Sequence, residues 1–241
     1  MIWTQESAAL LARAYRCGSA AQTLAGRIAP GLASGARICD AGCGVGALSL
    51  ALARRGFCVT ALDISETALA QLRMERDAAE IDVRCEDAKM HTPPAPYDAM
   101  VFCFFSSMEE CLAMARRCCT GDVFYISRDY ALHRFSVGSH PVRYSGYRDV
   151  LRELDAQQIP YDAAAFELDM GQPFESLEEA RRFFELYSRD DPAMITDAFL
   201  AGKLIHTDDR KYPLYLPHMR RAGMVHFRVK DIPQPARIFH K

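Results

Sequence analysis

Apolar residues fall along this chain in two alternating textures. Runs in which nearly every position is apolar, Arg37 to Cys39, Phe57 to Leu62 and Tyr97 to Phe105, have the length of strands covered on both faces. Between them leucine and alanine recur at helical spacing. Ala47 to Arg55 predicts a helix stopped by Gly56 at C′. Ser65 caps a helix to about Ala79, with Ile64 and Leu69 placed for a hydrophobic staple, and Ser107 with Glu110 opens a helix to about Arg117. Ile81 to Cys85 alternates as a third strand, and Asp122 to Ser127 reads as a fifth. Strand and helix in strict alternation predict an α/β three-layer sandwich around a mostly parallel sheet.

The flanks differ. Residues 5 to 16 form a helical patch with Thr4 as N-cap, and Ser19 with Gln22 makes the capping-box pattern of a second helix that ends at Pro30-Gly31. After a helix from Ser145 to Gln158, Tyr161 to Met170 reads as strand six and Met224 to Lys230 as strand seven. About 50 residues between these two strands do not read as strand. There Ser176 with Glu179 opens a helix to about Ser188, and Asp191-Pro192 starts another that ends near Gly202. Leu177, Ala180, Phe183, Phe184 and Tyr187 give this insert an apolar face, for a cap over a substrate or for a dimer surface. The organisation expected is one domain over 1–241, with lid helices at 1–33 and a helical insert at about 176–222.

Composition narrows the partners. Half of the 241 residues are apolar and the formal charge is −2, with no basic run of the kind a nucleic-acid footprint needs. No stretch approaches the ~18 apolar residues of a membrane span. The N-terminal segment carries an early acid and no basic n-region, which predicts a cytoplasmic protein. The nine cysteines lie between Cys17 and Cys119 without a C-x-x-C pair. They read as small apolar packing residues, and no metal site is predicted.

The chemistry concentrates in Asp40-Ala41-Gly42-Cys43-Gly44-Val45-Gly46, at the end of the first strand. Glycine permits positive φ and has no Cβ to block a ligand. A dinucleotide fingerprint wants G-x-G-x-x-G. Here the spacing is G-x-G-x-G, and Asp40 stands two residues ahead of the first glycine. That carboxylate would repel a pyrophosphate and would suit an ammonium or a sulfonium cation. The D-x-G-x-G-x-G pattern, the acids Asp63 and Asp87 downstream and the strand spacing together resemble the class I S-adenosylmethionine-dependent methyltransferases, over roughly residues 36 to 130.

The resemblance implies a seven-stranded sheet of order 3-2-1-4-5-7-6 with an antiparallel last strand, and S-adenosyl-L-methionine as cofactor. It implies that Asp40 approaches the methionine ammonium, while Ala41, Gly42, Cys43, Gly44 and Gly46 admit the amino-acid part. Asp63 would take the ribose hydroxyls, Ile64 would pack on adenine, and Asp87 with Ala88 would read the adenine edge. Cys103 and Phe104 would flank the sulfonium. Phe105 and Ser106 would lie under the methyl group, where amine-directed relatives carry a D/N-P-P-Y/F motif that this chain lacks. Trp3 and Tyr15 on the lid helices and Arg134 beyond strand five are substrate-side candidates, with Arg143 as a second cation. His133 is the candidate general base for a hydroxyl acceptor. The function expected is methyl transfer to a small molecule, with no nucleic-acid or membrane partner, by a monomer or homodimer. A non-catalytic binder of S-adenosylmethionine and an NAD-dependent oxidoreductase stay as alternatives.

Overall fold

The computed structural model describes residues 3–142 and 146–234. Arg143 and the predicted start of the sixth-strand helix at Ser145 lie outside the described residues. Two N-terminal helices, α1 (Gln5–Cys17) and α2 (Ala20–Ile28), precede the alternating core: β1 (Arg37–Ala41), α3 (Ala47–Ala53), β2 (Cys58–Asp63), α4 (Glu66–Arg73), β3 (Asp82–Cys85), β4 (Tyr97–Cys103), α5 (Met108–Cys118) and β5 (Cys119–Arg128). The remainder is α6 (Tyr147–Ala156), β6 (Asp162–Asp169), β7 (Gln172–Phe174), α7 (Leu177–Tyr187), α8 (Asp197–Lys203), β8 (Ile205–His206), β9 (Leu214–Leu216) and β10 (Met219–Arg228).

The main sheet has the order β3-β2-β1-β4-β5-β10-β6, which is the expected 3-2-1-4-5-7-6 once β10 is counted as the seventh strand. β10 runs antiparallel to both of its neighbours, and the β1, β2, β3, β4 and β5 pairings are parallel. Helices cover both faces. On one side Leu24, Ile28 and Leu52 pack with Val101 and Phe124, and on the other Leu112 and Leu154 pack with Met100, Phe102 and Phe227. Because β1 lies between β2 and β4, its carboxyl end opens at the centre of the sheet edge, where ligands of open α/β sheets bind.

Several local expectations are corrected. Ser19 does cap α2 by position, but its ψ of 6° turns the side chain away and no capping hydrogen bond forms. The staple at α4 is absent, because Ile64 is 73 % exposed while Leu69 is buried. The insert is not wholly helical: β7, β9 and β8 pair into a small antiparallel sheet. Its second helix is two pieces, a 3-10 turn at Pro192–Met194 and then α8 capped by Thr196. Strand seven begins at Met219 rather than Met224. The apolar face of α7 is covered from within the chain, by Leu10, Phe174, Leu200 and Leu214 around Ala180, Phe183 and Phe184. Arg13 of α1 fixes the insert further by donating to both Glu179 oxygens at 2.8 Å. Of the expected apolar face, Leu177 stays 44 % exposed. Cys58 and Cys85 are exposed rather than packed, whereas Cys118 and Cys119 are buried where α5 meets β5.

Candidate functional site

Asp40 stands one residue from the end of a central strand, paired in register with Ala61 and Val101, and it is 1 % exposed. Ser49, on the first turns of α3, donates from Oγ to Asp40 Oδ2 at 2.6 Å. Asp40 Oδ1 is buried with no hydrogen-bond partner. Burial pushes this carboxyl up to about 6; the Ser49 hydrogen bond opposes the shift and the Asp63 charge adds to it. A buried acceptor left unmatched costs about 1–3 kcal/mol. Such a group in a sheet-end cleft marks a place for a donor or a cation.

The turn that follows is built from three left-handed glycines, with φ of 70°, 55° and 72° at Gly42, Gly44 and Gly46. Asp63, at the end of β2, ties it down: its Oδ2 accepts the Gly44 N–H at 2.8 Å and its Oδ1 accepts the Ser65 N–H at 2.9 Å. The glycines make room for different things. A Cβ on Gly42 would stand 2.2 Å from the Phe105 ring, and one on Gly44 would stand 3.2 Å from Trp3. A Cβ on Gly46 would meet Leu72 at 2.5 Å, so the third glycine serves the packing of α4 against α3. Trp3 and Phe105 thus lie on the bare backbone of the turn itself.

The other residues expected at a cofactor gather round the same edge. Glu86 N–H donates to the Asp63 carbonyl at 3.1 Å, which places Asp87 just beyond the strand-end pairing. Asp87 Oδ1 accepts the Lys89 N–H at 2.9 Å, and Ala88 is buried. Ile64, between Asp63 and this turn, presents its side chain to solvent. At the end of β4, Phe104 and Ser106 hold positive φ of 55° and 68°, a conformation that costs side chains of this kind roughly 1–3 kcal/mol and that clusters at ligand sites. The Ser106 hydroxyl donates to Glu110 Oε2 at 2.9 Å. Cys103, the last residue of β4, has a thiol raised well above its ordinary range first by burial and then by Asp40. Tyr15 is half-buried, and burial first, then Cys103 and Asp40, raise its hydroxyl above the ordinary range against the opposing charge of Arg220.

Next to this edge lies a cavity of about 240 Å³, walled by α1, the segment after β5 and the insert. His133 and Arg134 line it, together with Tyr130 and Phe135. His133 is bonded through Nδ1 to Ser136 Oγ at 2.8 Å, and burial, then Arg189 and His140, hold its pKa down. His218 and Arg220 complete the wall and were not anticipated. They flank Met219, in a stretch that reads as part of the helical insert when strand seven is started five residues late. Burial, then Arg134 and Arg220, push His218 down to about 4, so its imidazole is neutral at ordinary pH. Arg220 links the two regions, because its guanidinium lies 3.7 Å over the Phe104 ring.

Comparison with known proteins bears on the fold and the family. Residues 38–122 match the family described as Methyltransferase domain. A ubiquinone biosynthesis O-methyltransferase of Azoarcus sp. strain BH72 is 34 % identical over 119 residues, covering 43 % of this chain and 50 % of that protein. A protein of the same description from Xylella fastidiosa strain 9a5c is 39 % identical over 71 residues, 28 % of this chain and 29 % of its own. The chain thus spans half or less of the curated relatives it matches. Among solved structures, the YcgJ protein of Bacillus subtilis superposes with a TM-score of 0.53 at 13 % identity, over 85 % of this chain and 97 % of that one, which shows a common fold. Motif, strand order and the match over residues 38–122 agree that this part of the chain carries a methyltransferase domain.

Proposed function

We propose that the chain binds S-adenosylmethionine along the carboxyl ends of β1, β2, β3 and β4 and methylates a small molecule held in the neighbouring cavity. The observation that carries this reading is the unpartnered, buried Oδ1 of Asp40 beside a turn of left-handed glycines. The donor set suits the cofactor. Asp40 offers an acceptor to the methionine ammonium, and Asp63 has lone pairs beyond its two backbone contacts for a ribose diol. Exposed Ile64 gives adenine an apolar face, and Asp87 with the Ala88 backbone gives it a polar edge. Cys103 and Phe104 stand toward the sulfonium.

When bound, S-adenosylmethionine supplies an electrophilic methyl group, and its sulfur keeps the electron pair of the broken C–S bond. The protein has to orient the acceptor, exclude water and receive at most one proton. Orientation alone can supply roughly 7–11 kcal/mol of the barrier. Leu11 and Ala14 of α1 and Met170 give the cavity apolar lining. His133 and the neutral His218 are placed to accept a proton from a hydroxyl acceptor. The O-methyltransferase names of the curated relatives favour oxygen as the atom methylated.

Calorimetric titration with S-adenosylhomocysteine and with NAD tests the reading. Binding of the first in the micromolar range and none of the second is expected. NAD binding with no response to S-adenosylhomocysteine would return the oxidoreductase alternative. Asp63→Ala should weaken S-adenosylhomocysteine at least tenfold with the fold intact. Tight cofactor binding without turnover on any acceptor in a cell extract would favour the non-catalytic binder.

A further inference from the structure

The cavity beside the turn is charged in one sense only. Two arginines, Arg134 and Arg220, and two histidines face it among aromatic rings, and no aspartate or glutamate lines it. The carboxylates nearest its histidines are already committed. Asp169 accepts from Gly171 N–H at 3.2 Å and from Tyr215 OH at 3.3 Å. Asp190 accepts from Val137 N–H at 2.6 Å and contacts His140 Nε2 at 2.6 Å. Among the described residues, neither Arg134 nor Arg220 has an ion-pair partner, whereas Arg221, next in sequence, pairs with Asp129 at 3.0 Å.

Arg220 is the more telling of the two. It is half-buried, and its Nε is fully buried with no hydrogen-bond partner. Its guanidinium lies near two aromatic rings, 3.7 Å from the Phe104 centroid and 5.8 Å from that of Tyr130. Cation–π contact steadies the plane of the group; within that plane Nη1 meets only the weak acceptor Met170 Sδ, at 3.8 Å, and Nε donates to nothing. Ser127 Oγ, which lines the adjoining cleft with Arg220 and Phe104, is likewise buried without a partner. Unmatched donors on a fixed guanidinium are the recognition element for a planar oxyanion. Rings make up much of the wall, where Phe135 touches His218 at 4.8 Å and Phe183 at 5.0 Å between centroids, and Leu11, Ala14, Met170 and Gln172 fill the remainder. A dry cavity of ~150 Å³ already admits benzene, so about 240 Å³ accommodates a substituted single ring.

We propose that the methyl acceptor is a small aromatic acid, its carboxylate seated on Arg220 with Arg134 closing over it from the rim, and its ring against Phe135 and Tyr130. This rests on the methyltransferase reading for the word acceptor; the anion site itself does not. Arg220 stands on Phe104, so an acid held there lies one ring away from the expected methyl position. Exposed Arg134 draws the anion in, and that contribution falls with salt.

The test is titration of the full chain with benzoate and hydroxybenzoates against benzamide, benzyl alcohol and phenyl phosphate, each with and without S-adenosylhomocysteine. At least tenfold tighter binding of the carboxylates than of benzamide is expected, weakening as salt rises. Arg220→Gln should abolish the preference and Arg220→Lys should keep part of it. Arg134→Gln, a surface change that leaves the fold alone, should cost threefold to tenfold in carboxylate affinity. Equal binding of benzamide and benzoate, or a preference untouched by both Gln variants, overturns the proposal. Phenyl phosphate binding more tightly than benzoate overturns the carboxylate assignment. S-adenosylhomocysteine binding without a carboxylate preference removes this inference alone. Carboxylate preference without S-adenosylhomocysteine binding removes the methyltransferase reading and keeps the anion site.

Discussion

Ser49 Oγ donates to Asp40 Oδ2 at 2.6 Å while the other oxygen of the same carboxylate has no partner. One hydrogen bond does not offset the burial of a charge, and the carboxyl rises from 3.8 to about 6. Between those values the fold holds a proton that the unfolded chain has released. Stability from this group therefore falls as pH climbs from about 4 to about 6 and stays lower above it. A shift of that size corresponds to about 3 kcal/mol. Asp40→Asn should accordingly melt higher than the parent at pH 8, with the difference shrinking toward zero near pH 4. The same variant should bind S-adenosylhomocysteine at least tenfold more weakly. Thermal melts across pH, paired with calorimetry, check both signs. A variant that loses stability at pH 8 would make Asp40 a structural acid.

Much of this was legible in the residues. Asp40, the glycines and Asp63 are separated by spacings that only a strand–turn–helix–strand unit satisfies, so the turn and its acids could be placed before any coordinates. The parallel strands were legible because burial on both faces leaves near-continuous apolar runs. The insert was not. β7 and β9 have three residues each and β8 has two, too short to show alternation. Phe174 of β7 and Leu214 and Leu216 of β9 are buried in one cluster with Leu10 of α1, a packing that no local pattern reveals. His218 and Arg220 were missed for the same reason: Met219-Arg220-Arg221 looks polar and loop-like, although Arg220 pairs in register with Leu168. Nor does a glycine announce its neighbour. Gly42 and Gly46 look alike in sequence, yet one faces Phe105 and the other Leu72.

Trp3 supplies a built-in reporter. It is the sole tryptophan in the chain, and its ring lies 3.2 Å from where a Cβ on Gly44 would be. Cofactor bound at the turn must touch or displace that ring. Titration with S-adenosylhomocysteine should change tryptophan emission in a saturable way, with the same midpoint as calorimetry. Trp3→Phe should silence the signal and shift affinity by less than threefold, since a ring remains. Calorimetric binding with unchanged emission would place the ligand away from the turn.

Asp190 ties the segment after β5 to the end of α7. It accepts from the Val137 and Gly138 N–H groups, contacts His140 Nε2 and accepts from Ser188 Oγ at 3.0 Å. The His140 contact, first among these, holds its carboxyl well below the usual range. This tether positions His133 and Arg134 at the cavity wall. Asp190→Ala should raise acceptor KM severalfold while leaving the S-adenosylhomocysteine Kd within twofold. Amide hydrogen exchange should speed up at 136–140. Equal losses in both affinities would mean that the segment also supports the cofactor edge.

Gly46 separates packing from ligand contact. With φ at 72° and a would-be Cβ 2.5 Å from Leu72, alanine there must strain the backbone and push a fully buried leucine on α4. Overpacking of this kind costs typically 1–3 kcal/mol, and the left-handed backbone adds to it. Gly46→Ala should lower the unfolding free energy by an amount in that range or above. Leu72→Ala alone would open a cavity and cost about 2–5 kcal/mol. Combined with Gly46→Ala it should cost less than the sum, because the smaller residue makes room for the new methyl group. Denaturant melts of the two single variants and the double variant decide the point. Strict additivity would show that the strain lies in the backbone alone and that Leu72 is not what the glycine accommodates.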